Sequence, residues 1–160
     1  MYPSREARDA AIEQTAALPP GELRGYFAAA ARRLAQTAEG MPDAAWDVEV
    51  RNGQGVTVPA AMVPWMRAKE VWVHGTDLRA GLDFPDIPAG FCAALVDDVL
   101  GVFASRDQMP DVTIRATDVD RTWGSGATEV VGPVTAVAAW LTRGHADGLP
   151  GDVPPPPAWL

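Results

Sequence analysis

The spacing of apolar residues changes between the two halves of the chain. Of the features of this sequence, this change restricts the possible fold classes most strongly. In the first half, a set of apolar residues follows the i, i+3, i+4, i+7, i+11 spacing that gives a helix one apolar face. In the second half, residues 112–117 alternate between apolar and polar side chains, which is typical of a strand with one buried face. The sequence therefore predicts an α+β protein. The helical set comprises Leu23, Tyr26, Phe27, Ala30 and Leu34.

Capping and helix-breaking residues mark the first two helices. Ser4 is a candidate N-cap for a helix to about Leu18, which Pro19 and Pro20 would end. A second helix begins near Glu22 and would end at Gly40. The first part of the chain is therefore expected to be mainly helical.

A third helix is expected to start near Pro59 or Pro64, because proline suits the first turn of a helix. It would run to about Arg79, with Gly81 as its cap. The acidic, proline-containing connector 82–88 follows and is the best candidate for a domain boundary.

We therefore expect a helical domain over residues 1–84 and a small α+β domain over residues 85–160. In the second domain, apolar spacing from Phe91 to Val102 predicts a helix, residues 128–131 a second strand, and Gly132-Pro133 the start of a last helix.

Two further segments have distinctive compositions. Alternation over residues 46–50, followed by turn-forming residues 51–55, fits a short hairpin and an irregular loop about equally well. The four prolines 154–157 require an extended tail, which Trp159-Leu160 would anchor on the core.

Charge and cysteine content bear on the class of protein. The formal net charge is −8, from 21 acidic and 13 basic residues, which argues against a nucleic-acid or anionic membrane partner. Cys92 is the single cysteine, so an intrachain disulfide scaffold is excluded, and its apolar neighbours favour a small buried side chain. Because the N-terminus has no apolar signal core and no stretch approaches about 20 apolar residues, we expect a cytoplasmic protein.

Four charged or polar side chains share one face of the third helix. At spacings of 3, 4 and 3 residues, they form a single stripe. A Glu and a His four apart can bind one divalent ion such as zinc, and neighbouring side chains can orient them. The same spacing also occurs in ordinary solvated pairs, so both interpretations stay open. The stripe consists of Arg67, Glu70, His74 and Asp77.

Arg143 and His145 follow the last predicted helix. Cations at a helix C-terminus are favoured by the helix dipole, which explains both residues without any function. The alternative for Arg143 is substrate binding. Residues 123–126 are rich in glycine but lack the spacing of a phosphate-binding loop, and the chain has no nucleophile elbow.

The segment from Arg67 to Leu78 resembles the signature helix of the mycothiol-dependent maleylpyruvate isomerase family, within the DinB-like metal-binding helical bundles. Residues 131–133, the run 139–144 and the closing Pro-rich tail resemble the C-terminal, sterol-carrier-like α+β domain of the same family. The resemblance covers essentially the whole chain. It implies the N-terminal part of a DinB-like bundle followed by a small α+β domain.

The resemblance also implies chemistry. Family members hold zinc with two histidines and a glutamate, and the zinc binds the cofactor mycothiol as a thiolate, which isomerises maleylpyruvate or, in relatives, is transferred to an electrophile. Glu70 and His74 match two of the metal ligands, and Arg143 is the candidate catalytic, carboxylate-binding arginine. The expected partners are a small-molecule thiol and an electrophilic substrate.

Two departures from the family pattern are present. Members usually begin with two further helices, and the second carries the remaining histidine ligand, whereas no histidine precedes His74 here. The usual order near the C-terminal arginine is Gly-Arg, whereas this chain has Arg143-Gly144. We therefore expect a form that lacks the first helices. Such a form would be an isomerase or S-transferase, or a fragment of one. Alternatively, it would be a shortened protein that dimerises to cover its exposed apolar faces, or a non-catalytic binding module without the complete metal site.

Overall fold

The computed structural model describes residues 3–52 and 55–159. Contacts within the chain divide it into two compact units, residues 1–65 and 66–160. The expected domain boundary after residue 84 lies inside the second of these units, and it stays a prediction. The secondary structure is mixed, which confirms the α+β class.

The first unit begins with two helices, α1 (Arg5–Ala16) and α2 (Pro20–Glu39). The Oγ of Ser4 accepts a hydrogen bond from the backbone N–H of Ala7 at 3.2 Å, which confirms the predicted N-cap. α2 begins at Pro20, two residues earlier than predicted, because proline lacks an N–H that the first turn would leave unpaired anyway. Neither helix contains a buried residue.

A hairpin follows in the first unit. Strand β1 (Glu49–Arg51) pairs antiparallel with β2 (Thr57–Pro59), so the structure selects the hairpin over the irregular loop. Gly53 and Gln54, at the centre of the predicted turn, lie outside the described residues. Backbone hydrogen bonds from Ala60 to Val48 and from Ala61 to Trp46 extend the pairing toward the next helix.

The third helix, α3 (Met62–Asp77), starts between the two predicted prolines and ends earlier than predicted. Gly81 is therefore not its cap, and Arg79 is already in a left-handed conformation with φ of 50°. After the helix, the chain turns back so closely that a Cβ at Gly75 would lie 2.7 Å from a methyl group of Leu82. The left-handed Arg79 and the packing of Leu82 against Gly75 thus accompany the early end of the helix.

The second unit contains helix α4 (Ala89–Ser105), a three-stranded sheet and helix α5 (Val134–Arg143). In the sheet, β3 (Val112–Ala116) lies in the centre, antiparallel to β4 (Thr122–Gly124) and parallel to β5 (Thr128–Gly132). The sequence predicted α4, β3, β5 and α5 but missed β4. That strand has only three residues, and two of them belong to the glycine-rich run 123–126, for which the sequence predicted no strand.

The core of the second unit lies where α5 packs on α4 and on the sheet. α4 alone contributes seven buried residues. Glycine at position 126 lets the loop after β4 approach β3, because a Cβ there would lie 2.1 Å from the backbone of Asp111 and Val112. The largest fully buried side chains of the core include Leu95, Val99, Phe103, Ile114, Val130, Trp140 and Leu141.

The Pro-rich tail is fixed by hydrogen bonds to its backbone. The indole Nε1 of Trp140 donates to the carbonyl of Pro154 at 2.8 Å, and Arg106 donates to the carbonyl of Ala158 at 3.2 Å. Trp159 is buried, as predicted, whereas Leu160 lies outside the described residues. None of the helices in the described ranges is long and apolar enough to cross a membrane.

Candidate functional site

Three residues fix the orientation of α3 in the second unit. Val73 is buried, and the ring of Trp72 lies 6.3 Å from that of Phe91 between centroids. The half-buried Lys69 forms a 2.8 Å ion pair with Asp98 of α4. Because these side chains lie on the packed face of α3, the polar stripe predicted from the sequence faces solvent.

The exposed stripe brings Glu70, His74 and Asp77 together. The Nε2 of His74 lies 3.5 Å from a carboxylate oxygen of Glu70, and its Nδ1 lies 2.8 Å from Asp77 Oδ2. The imidazole therefore stands between two carboxylates, one on each ring nitrogen. Arg67, the fourth member of the stripe, is half-buried on the same helix.

Arg143 reaches the stripe from the end of α5. Its Nε and Nη2 both donate to the carboxylate of Asp77 at 2.8 Å, and its Nη1 donates to the carbonyl of Thr142 at 2.9 Å. Gly144 ends α5 in a left-handed conformation, φ 70°, which directs the chain away just after the arginine. The side chain of Arg143 is 17% exposed and that of Asp77 is 41% exposed, so this forked pair lies partly open to solvent.

The hydrogen-bond pattern favours one tautomer of His74. A carboxylate can only accept and a guanidinium can only donate, so the 2.8 Å contact with Asp77 requires a proton on Nδ1. Arg143 Nη2 also lies 3.3 Å from that nitrogen, but two donors cannot bond each other, and the shorter contact with the carboxylate decides. The other ring nitrogen of His74, Nε2, faces Glu70.

Asp77 stays ionised in this arrangement. The hydrogen bond from Arg143, and next that from His74, holds the pKa of Asp77 well below its usual range. A carboxylate that orients a histidine in this way is the usual outer partner of a metal-binding imidazole.

The donors present fit part of a metal site. Glu70 and the Nε2 of His74 are a carboxylate and an imidazole nitrogen on one side of a helix, which suits zinc. Within residues 3–52 and 55–159, however, no group of three or more His, Cys, Asp or Glu side chains is placed to hold a metal ion. The described residues therefore offer two candidate ligands, Glu70 and His74.

Two other candidates from the sequence lie elsewhere. His145 lines an open cleft of about 670 Å³ together with Asp83, Asp118 and Asp147, away from the stripe. Cys92 is fully buried, as predicted, and burial, with a smaller contribution from the charge of Asp118, raises the pKa of its thiol to about 12. A thiol in this environment is not a nucleophile at neutral pH.

Comparison with known proteins decides the family. A family model described as the mycothiol maleylpyruvate isomerase N-terminal domain matches residues 1–79. A crystal structure described as the mycothiol-dependent maleylpyruvate isomerase is similar to this chain with a TM-score of 0.84 and 31% identity, over 99% of this chain and 69% of that one. The chain belongs to the mycothiol-dependent maleylpyruvate isomerase family.

A second structure, a mutant of that isomerase with one histidine replaced by alanine, matches with the same TM-score and identity. A search of curated proteins gave no match. The family assignment from the Arg67–Leu78 segment is thus confirmed.

The link from Arg143 to Asp77 had no signal in the sequence. The two residues are 66 positions apart, and nothing in their spacing indicates that they meet. The sequence placed Asp77 beside His74 correctly, because both lie on one helix, but it left Arg143 open between a cation at a helix end and a substrate-binding residue, and it indicated no contact with Asp77.

Proposed function

We propose that Glu70 and His74 provide two ligands of a zinc site for mycothiol-dependent isomerisation or S-transfer. The observation that carries this proposal is that the Nε2 of His74 lies 3.5 Å from the carboxylate of Glu70, while the other ring nitrogen is fixed by Asp77. When bound, zinc would lower the pKa of the mycothiol thiol so that it reacts as a thiolate. Membership of the family supports this chemistry.

In this proposal, Asp77 and Arg143 are positioning residues. Asp77 holds the proton of His74 on Nδ1, and Arg143 fixes the carboxylate of Asp77 through two parallel hydrogen bonds. Loss of such an outer partner typically weakens metal binding by about 10- to 100-fold. Direct binding of a substrate carboxylate by Arg143 stays a prediction. Such a contact has to share a guanidinium that already binds Asp77 and Thr142.

A second candidate is a binding module without catalysis. It is favoured by the number of ligands, because the described residues provide no three-ligand group and two ligands alone hold zinc weakly. In this alternative, Glu70 and His74 form a solvated pair, and the protein binds its partner through another surface.

Zinc binding by the purified chain distinguishes the two candidates. The chain is incubated with zinc and desalted, its metal content is measured by elemental analysis, and its affinity for zinc alone is measured by calorimetry. His74→Ala is compared with His145→Ala, which removes the only other histidine from an exposed position outside the stripe.

By calorimetry, we expect zinc to bind the wild type and His145→Ala at about one ion per chain, and not to bind His74→Ala. Asp77→Asn should retain zinc with an affinity reduced by about 10- to 100-fold, because the imidazole loses its orientation. Absence of zinc from the wild type, or equal zinc in both histidine variants, contradicts the proposal and favours the non-catalytic module.

A further inference from the structure

Helix α3 has a small buried face. Val73 is its one buried residue, although all 16 residues of the helix lie in the described part of the chain. By contrast, α4 buries seven residues. Core packing alone does not fix the rotation of a helix with so small a buried face, so its other side-chain contacts decide where its polar stripe points.

An ion pair joins α3 to α4 one residue before Glu70. The ammonium of Lys69 lies 2.8 Å from Asp98 Oδ2, and the two side chains are 21% and 20% exposed. The indole ring of Trp159 lies on the same ammonium, with its centroid 6.0 Å from Nζ. An aromatic face stabilises a cation, and an ion pair that is partly shielded from water is weakened less by salt. Trp159 therefore strengthens the attachment of Lys69 to Asp98.

The Pro-rich tail holds this indole in place. Trp159 is 8% exposed, and the Nη1 of Arg106, just after α4, donates to its carbonyl at 3.3 Å. At the start of the tail, Trp140 of α5 donates to the carbonyl of Pro154 at 2.8 Å. The prolines between these two attachments restrict the backbone, so little conformational entropy is lost when the ring is held beside Lys69.

The last turns of α3 contain the candidate site. Asp77 follows Lys69 by eight residues, which is about 12 Å along the helix axis. A side-chain tip lies about 5–6 Å from the axis of a helix, so a rotation by about 20° moves it by about 2 Å. Such a shift is enough to break the 2.8 Å hydrogen bonds that Arg143 donates to Asp77. The contact with Arg143 thus depends on the rotation of α3.

We propose that Trp159 is a positioning residue of the candidate site. Its ring holds Lys69 on Asp98, and this attachment sets the rotation of α3 at which Asp77 receives Arg143. Because α4 and α5 pack on each other, they provide one frame to which α3 is attached through both ion pairs. The consequence for zinc binding rests on the proposed function, whereas the consequence for the bond between Arg143 and Asp77 does not.

Four variants of the full chain test this role. Trp159→Ala removes the ring, and Trp159→Phe restores an aromatic face. Lys69→Met keeps a long side chain but removes the charge on which the ring acts. Trp123→Ala is the matched control, because Trp123 is also 8% exposed in the second unit but belongs to β4 and donates to Asp97. Circular dichroism and thermal unfolding measure any loss of folding or stability separately.

The Nε–H of Arg143 reports on the site without metal. When this group donates to a carboxylate, its exchange with water is slowed, and NMR follows the signal that disappears in Arg143→Lys. We expect slow exchange in the wild type, Trp159→Phe and Trp123→Ala. In Trp159→Ala and Lys69→Met, exchange should be at least about tenfold faster. The double variant should show no further increase, because both residues act through one attachment.

Zinc affinity extends the test to the proposed ligands. By calorimetry with zinc alone, the affinity of Trp159→Ala and of Lys69→Met should fall by about tenfold, because Asp77 no longer orients His74. Trp159→Phe and Trp123→Ala should bind zinc as the wild type does. A wild type that binds no zinc, but whose Arg143 signal still responds to Trp159→Ala, contradicts the proposed function and supports the positioning role.

Two outcomes would overturn the role of Trp159. The first is an Arg143 signal that exchanges at the same rate in Trp159→Ala, in Lys69→Met and in the wild type. The second is an equal acceleration in Trp123→Ala, which would show that the bond responds to any loss of core stability. If Trp159→Ala does not fold, Lys69→Met compared with Trp123→Ala decides the question.

Discussion

Helices α2 and α4 are of similar length, and their sequences predict helices equally well, but the two helices differ in how many residues they bury. α2 spans 20 residues and buries none, whereas α4 spans 17 and buries seven. The difference is in their neighbours: α4 packs extensively on α5, which also contacts β3 and β5. An apolar periodicity therefore predicts that a helix forms, but it does not predict whether that helix contributes to a core.

Replacement of one phenylalanine in each helix should give the largest difference between α4 and α2, measured as the change in the free energy of unfolding. Phe103→Ala in α4 should lower the free energy of unfolding by about 3–5 kcal/mol, because the ring is fully buried and leaves a cavity. Phe27→Ala in α2 should change the unfolding of the monomer by less than about 1 kcal/mol. Urea denaturation at low protein concentration measures both changes in the free energy of unfolding. Equal losses of stability in the two variants would contradict the difference between α2 and α4.

The reactivity of thiols should show the next largest difference. A raised pKa disfavours the thiolate, so Cys92 in α4, with a pKa of about 12, is almost wholly protonated at neutral pH. Its alkylation by iodoacetamide should be at least about 100-fold slower than that of an exposed thiol at position 23 of α2, after allowance for the higher nucleophilicity of the basic thiolate.

The alkylation rate of Cys92 should rise about tenfold for each pH unit between pH 7 and 10, because the thiolate fraction is still far from saturation there. The thiol of Leu23→Cys should instead level off near its ordinary pKa of about 8.5. Mass spectrometry at timed intervals follows both thiols. Fast, pH-independent labelling of Cys92 in the folded chain would show that α4 is less protected than its burial indicates.

The smallest effects should come from two glycines, and they should have opposite signs. Gly126→Ala should destabilise the second unit by about 1–3 kcal/mol, since its Cβ would collide with the backbone at the start of β3. Gly25→Ala in α2 should stabilise the chain by about 0.5–1 kcal/mol, because nothing lies within 4 Å of the added methyl group. Thermal unfolding of the two variants measures both signs, and a destabilising Gly25→Ala would show that this face of α2 is already packed.

Most elements were predictable because their signals are local. The N-cap at Ser4, the alternation of β3 and the helical spacing of α4 and α5 each depend on residues within a few turns or one strand. Errors arose where residues outside the element itself are involved. α3 ends before its predicted cap, where Leu82 turns back against Gly75, and β4 forms because its three residues pair with β3.

The candidate site likewise combines contacts within one helix, which the sequence predicted, with a contact between distant residues, which it did not. The proximity of Glu70, His74 and Asp77 follows from one helix, so the sequence predicted it. The contact of Arg143 with Asp77 joins the ends of two helices, and the sequence contained only the two residues and their charges. Zinc and mycothiol stay predictions that depend on the proposed experiment.

By itself, the sequence determined the periodicity of each element, the polar stripe on α3 and the family, because backbone geometry converts residue spacing directly into shared faces. The tertiary structure decided which apolar faces are buried, that residues 122–124 pair with β3, and that Arg143 binds Asp77. Those outcomes depend on contacts between residues far apart in the chain, whose energy exists only once the chain has folded.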